Sequence, residues 1–193
     1  MTPGLASSHP EEPRARPQAS ALGMGLFLAA LTVFFAASLL AFGIVRARTG
    51  SWLPENASFP AGLWLSTFLI LLSSVTMRWS VAAAREARYR ELKVALWATL
   101  ALGLFFLASQ SFVWVHLWAE RIAAKRNLNF FYMITGLHAL HVLGGLAALA
   151  LMGWRSLKGW ARHPWPPVRL TAYYWHFLDV VWLIMLAVLI LCA

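Results

Sequence analysis

Phe130-Phe-Tyr-Met-Ile-Thr-Gly-Leu-His-Ala-Leu-His-Val-Leu-Gly-Gly-Leu-Ala-Ala-Leu-Ala-Leu-Met-Gly-Trp154 runs for 25 residues without an Asp, Glu, Lys or Arg. A hydrocarbon core of roughly 30 Å takes about 20 apolar residues as a helix, so this run predicts a transmembrane helix. Four further runs qualify on the same grounds: 21–45, 61–81, 94–115 and 173–192. No strand-length alternation competes with them. The composition agrees, at 61% hydrophobic and 12% charged residues with a mean hydropathy of +0.66, far from soluble domains. The expected fold is all-α: a polytopic membrane protein built as a five-transmembrane-helix bundle.

Residues 1–20 are rich in Pro, Glu, Arg and Ser and predict a disordered cytoplasmic tail with too little apolar surface to fold. Residues 21–193 are expected to form a single five-helix membrane domain, with no internal repeat. The first span is too long, and its leader too acidic and proline-rich, for a cleavable signal peptide. Net charge is +9, but the cations fall between the spans, so they read as topology and not as a nucleic-acid surface. With the N-terminus inside, eleven Lys and Arg lie on the cytoplasmic side and five outside. The positive-inside rule therefore predicts a cytoplasmic N-terminus and a C-terminus outside. The basic run from Arg78 to Lys93 favours anionic headgroups. A single cysteine, Cys192, leaves no internal disulfide and no cysteine-based zinc or iron–sulfur site.

Trp64, Trp79, Trp97, Trp114, Trp118, Trp154 and Trp175 lie at or near the predicted span ends, where amphipathic rings settle at headgroup level. Trp182 lies well inside the fifth span and is expected to face protein, because its indole N–H wants a buried acceptor. Residues 78–93 contain neither Gly nor Pro and place Glu86 four residues before Arg90, which predicts that the second span continues as helix into the cytoplasm. His163-Pro-Trp-Pro-Pro167 predicts a break before the last span.

Ionisable chemistry within the spans concentrates in His138, His141, His176 and Asp179. His138 and His141 share a helix face, as do His176 and Asp179. A hydrogen bond from Asp179 to His176 is open locally, and one to His141 is open if the helices are neighbours. Three readings compete: hydrogen bonds that fix helix packing, a polar surface for a larger membrane partner, and an autonomous His-ligated haem or metal site. A small transporter with a proton relay ranks last, lacking repeats and broken helices. The hydroxyls in the spans are expected to bond back to their own helices, and Gly144 with Ala148 forms a small-xxx-small face suited to close helix approach. No phosphate loop, catalytic triad or carboxylate pair is present.

Phe131-Tyr-Met-Ile-Thr-Gly-Leu-His138-Ala-Leu-His141-Val-Leu-Gly-Gly145 and Tyr174-Trp-His-Phe-Leu-Asp-Val-Val-Trp182 resemble the signatures of subunit III of haem-copper oxidases. Weaker matches are Leu22-Gly-Met24, Leu65-Ser-Thr67 and Leu102-Gly-Leu-Phe-Phe106 with Gln110. The five spans resemble the shorter prokaryotic form, in an inner (cytoplasmic) membrane. The resemblance implies a non-catalytic component of a cytochrome c or quinol oxidase, taking part in aerobic electron transport and proton pumping. No cofactor is expected on this chain; haem and copper are expected in the partner. Catalytic subunit I, subunit II and phospholipids are the implied partners, with no nucleic acid. The resemblance also implies a V-shaped, lipid-holding cleft between the first two helices and the remaining three. His138, His141, His176, Asp179, Trp182, Trp175, Gln110 and Thr67 are the residues expected to serve structure, partner contact or lipid contact.

Three acids usual in the family are replaced. Leu31, Val113 and Arg169 stand where glutamates are usual, and neither leucine nor valine titrates or donates a hydrogen bond. Relatives of subunit III also accompany nitric oxide reductases, so an accessory subunit of such a reductase is the alternative.

Overall fold

The computed structural model describes residues 17–49, 61–124, 129–159 and 165–191. All regular structure among them is helical: α1 (Pro17–Thr49), α2 (Ala61–Arg85), α3 (Tyr89–Ala124), α4 (Asn129–Lys158) and α5 (Trp165–Leu191). Each contains a stretch long and apolar enough to cross a membrane. Most of the segment expected as a tail lies outside the described residues, and its last four, 17–20, form the start of α1.

Among the described residues, α2 packs on α3, α3 on α4, α4 on α5, and α5 closes back on α2. The backbones of the diagonal pairs stay apart, so these four helices form a closed ring whose side chains meet across its middle. Helix α1 stands outside it, against α5 and α4 and not against α2 or α3. Its most apolar window is only 11% buried, compared with 44% in α4 and α5. A helix apolar all round needs no specific stripe to sit in lipid. This arrangement contradicts the expected cleft between the first two helices and the remaining three. Helix α2 makes its most extensive packing with α3, so the grouping is one helix against four.

Two boundaries differ from expectation. Helix α2 does not run on through residue 93; it ends at Arg85, and α3 starts at Tyr89. Between them Ala87 takes a left-handed conformation, φ 55°, and the Arg88 N–H reaches back to the Ala83 carbonyl at 2.9 Å. That is a Schellman-type closure, normally marked by Gly. With alanine in that place the stop carries no sequence signal. Glu86 bonds Arg88 at 2.9 Å in place of the expected pairing with Arg90. Arg88 also bonds Glu91, which raises its pKa.

Helix α5, in turn, begins at Trp165, eight residues before the predicted span. Pro166 and Pro167 occupy its first turn, where a missing N–H removes no helical bond and the fixed φ suits the helix. The proline run thus starts the last helix instead of separating it from the loop.

Candidate functional site

The early start of α5 places Trp175 ten residues into the helix, and its ring is a core residue, 1% exposed. This corrects its expected place at the headgroup level. Trp175 touches every other member of the ring. Its Nε1–H donates to Ser73 Oγ of α2 at 3.0 Å, while a Cβ placed on Gly103 of α3 would lie 2.7 Å from its ring, and one on Gly145 of α4 3.1 Å from it. The close-packing glycine of α4 is therefore Gly145; Gly144 is exposed.

Trp182, two turns further along α5, repeats the plan. It is fully buried, and its N–H donates to Thr67 Oγ1 of α2 at 3.0 Å. Its ring packs edge-on to Phe106 of α3 at 5.1 Å and beside His138 of α4 at 5.4 Å between centroids.

The acceptors share one device. Ser73 gives its proton to the Ile70 carbonyl at 2.7 Å and Thr67 to the Leu63 carbonyl at 2.8 Å. Each hydroxyl then accepts an indole N–H from another helix. Thr135 of α4 does the same, donating to Phe131 O at 2.7 Å and accepting from Trp114 of α3 at 3.1 Å. The expectation that hydroxyls bond back to their own helix describes half of this; the remaining lone pair fixes the neighbour.

The three histidines do not converge. His138 is 1% exposed, flanked by Trp182, Phe106 and Phe35, and neither ring nitrogen has a hydrogen-bond partner among the described residues. His141 donates from Nδ1 to the Leu137 carbonyl at 2.7 Å and stacks edge-on with Phe35 of α1 at 5.2 Å. Its own carbonyl accepts the Tyr174 hydroxyl at 2.9 Å. His141 is thus turned to its own helix and to α1, and the bond to Asp179 that helix proximity left open is not made.

Asp179 meets His176 instead, Oδ2 to Nδ1 at 3.4 Å, and Ser74 Oγ of α2 lies 2.8 Å from the same nitrogen. At 3.4 Å the carboxylate is in ionic range but outside hydrogen-bond geometry, and both its oxygens lack a hydrogen bond among the described residues. Serine and aspartate converge on one ring nitrogen. A hydrolase triad needs them on opposite nitrogens so that the base can receive a proton on one side while held on the other. What Ser74, His176 and Asp179 provide is a polar joint between α2 and α5. Among the described residues, no group of three or more His, Cys, Asp or Glu is placed to hold a metal ion.

Gln110 is buried, with its amide 3.3 Å from Ser66 Oγ. The single Ser66 proton already serves the Gly62 carbonyl at 2.8 Å, so this contact suits the amide turned to donate. Leu31 and Val113 are buried apolar residues. Val113 lies so close to Gly62 that a Cβ there would collide with its methyl. Arg169 lies on α5 between Trp165 and Tyr173, 5.8 and 5.9 Å from their ring centroids.

Ser73, Ser74, Gly103 and Gly145 occur in the stretches that carry the family resemblance, but sequence reasoning gave them no place in the site. The available signal was periodic: Thr67, Ser73 and Ser74 are small polar residues on one apolar helix, and tryptophans seven apart need two acceptors.

Five helices long and apolar enough to cross a membrane define a multi-pass membrane protein. The model of the family described as cytochrome c oxidase subunit III matches residues 15–192. The chain is 32% identical over 191 residues to a probable cytochrome c oxidase subunit 3 of Nocardia farcinica, covering 94% of this chain and 92% of that protein. It is 32% identical over 190 residues to the cytochrome c oxidase subunit 3 of Synechocystis, covering 95% and 78%. With the corresponding protein of Thermostichus vulcanus it shares 27% over 188 residues, covering 96% and 92%. The chain belongs to the cytochrome c oxidase subunit III family.

Proposed function

We propose that this chain is the non-catalytic subunit III of a respiratory haem-copper terminal oxidase in a prokaryotic inner membrane, docked on catalytic subunit I with subunit II in the same complex. Haem and copper reside in those partners, which reduce oxygen and pump protons. The observation that carries the reading is the destination of the buried polar groups. The Trp175, Trp182, His176 and Tyr174 side chains each end on a neighbouring helix of this chain, so they hold a scaffold together and do not surround a reacting atom. The family match over nearly the whole chain supports the same conclusion.

The N-terminus is cytoplasmic by the charge asymmetry, which sets the α2–α3 hairpin and the start of α5 on the inner side. Helix α1 and the outer faces of the ring carry exposed Leu26, Val33, Leu40, Phe68, Phe105 and Phe112, apolar surface for the catalytic subunit and for phospholipid. Leu31, Val113 and Arg169 in place of acids favour a member that supports the partner without relaying protons itself.

An affinity tag on this chain, followed by mild solubilisation of its native membrane, tests the assignment. Recovery of a haem-copper catalytic subunit that consumes oxygen is expected. A partner that reduces nitric oxide in place of oxygen would move the chain to the alternative complex.

A further inference from the structure

Between α2 and α5, at the end near the α2–α3 hairpin, lies a groove of about 440 Å³ lined by Arg78, Arg85, Glu86, Trp165, Arg169, Tyr173 and His176 among others. Residues 78, 82 and 85 of α2 and 165, 169, 172 and 176 of α5 share one stripe each at helical spacing, and the stripes face each other across it. Three guanidinium groups oppose one carboxylate, and that carboxylate, of Glu86, is already engaged by Arg88 at 2.9 Å. The aromatic rings of Trp165 and Tyr173 flank the Arg169 guanidinium. Its Nε is covered from solvent and has no acceptor among the described residues. A covered, charged donor without an acceptor is costly, and a phosphate oxygen is the acceptor that a guanidinium fork fits best.

Both stripes continue toward the membrane centre as exposed apolar side chains: Val75 and Leu71 on α2, three and seven residues before Arg78, and Val180 and Leu183 on α5, four and seven after His176. A cationic head end joined to an apolar track is the shape of a phospholipid and not of a soluble anion. We infer that this groove is a specific site for one anionic phospholipid, its phosphate held by Arg169, Arg85 and Arg78 and its acyl chains lying along the α2–α5 face. The groove sits at the α2–α5 seam of the ring, and no residue of α1 lines it. It deepens the lipid part of the proposed function, and its assignment to the cytoplasmic leaflet rests on the orientation proposed there.

The test uses the full chain, purified with its partners and exchanged into nanodiscs of phosphatidylcholine doped with phosphatidylglycerol, with retained lipid counted by native mass spectrometry. Wild type should keep phosphatidylglycerol in preference to phosphatidylcholine. R169Q should lower that retention by about tenfold, as for loss of one charge-assisted contact, with R169K falling less. The exposed pair R78Q/R85Q gives a second arm in which folding is not at stake, and it should also lose retention. Inorganic phosphate at matched concentration should leave the lipid in place; displacement by phosphate would overturn the lipid assignment in favour of a free anion. Unchanged retention in R169Q and in R78Q/R85Q, or no preference in wild type, would overturn the site. Partner subunits are scored in the same spectra, so loss of lipid with intact partners is distinguishable from a wrong assignment of the complex.

Discussion

Trp175 of α5 donates its indole N–H to Ser73 of α2 at 3.0 Å, and Ser73 hands its own proton to the Ile70 carbonyl. One side chain thereby locks the closing edge of the ring. In Ser73→Ala the indole N–H is left buried without an acceptor. The expected cost is about 1 kcal/mol, within the span of interhelical hydrogen bonds measured in membranes and of unsatisfied buried donors. A lower thermal midpoint in detergent, with a red-shifted or broadened tryptophan emission, would report it. Ser111→Ala, at an exposed hydroxyl bonded only to its own helix, should change neither.

Steric fit around the same ring predicts a larger effect. A Cβ on Gly103 would lie 2.7 Å from the Trp175 ring and 2.8 Å from Leu146, and a rigid indole cannot swing away. Gly103→Ala is expected to destabilise by roughly 1–3 kcal/mol, the usual range for overpacking. Gly136→Ala, where a Cβ meets nothing within 4 Å, is the matched control and should be neutral or slightly stabilising through helix propensity.

The α2–α3 hairpin carries strain that glycine would remove. Ala87 sits at φ 55°, and left-handed backbone costs a non-glycine residue roughly 1–2 kcal/mol. Ala87→Gly should therefore raise the midpoint of denaturant unfolding by up to about 1 kcal/mol, part of the gain being offset by the greater freedom of glycine in the unfolded chain. A lowered midpoint would mean that this turn is not the αL closure described.

The contact between His176 and Asp179, 3.4 Å apart, is open to a double-mutant cycle. Asp179→Asn and His176→Gln, singly and together, should show a coupling of about 0.6 kcal/mol and below about 2 kcal/mol, as found for polar pairs within membranes. Asp179→Asn should weaken bundle stability or association with the partner while leaving the haem content of the recovered complex unchanged. Additive effects with no coupling would make the pair a coincidence of packing.

How much of this was legible before the structure differs by feature. The number and class of the helices followed from length and hydropathy, because lipid demands continuous apolar helices. Their ends were harder to read, for two local reasons. Alanine at residue 87 closes a helix in a conformation usually announced by glycine, and Pro166 and Pro167 open a helix in the positions where proline does no harm. For the site, the spacing of His176 and Asp179 on one face was sufficient to pair them. Ser74 as their third member was not legible, since it depends on α5 packing against α2. The same holds for His141, which turns to Leu137 and Phe35, and for Trp175, whose place in the core became visible only with the true start of α5.

The central claim, a scaffold subunit serving a catalytic partner, is tested most directly by where the haem goes. The measurement is the reduced-minus-oxidised absorption spectrum of material recovered through a tag on this chain, taken once from the native membrane and once after expression of the chain alone. Haem bands and oxygen consumption in the first preparation, with neither in the second, are the predicted result. A haem band that follows the isolated chain, and is lost in His138→Ala or His141→Ala, would contradict the account.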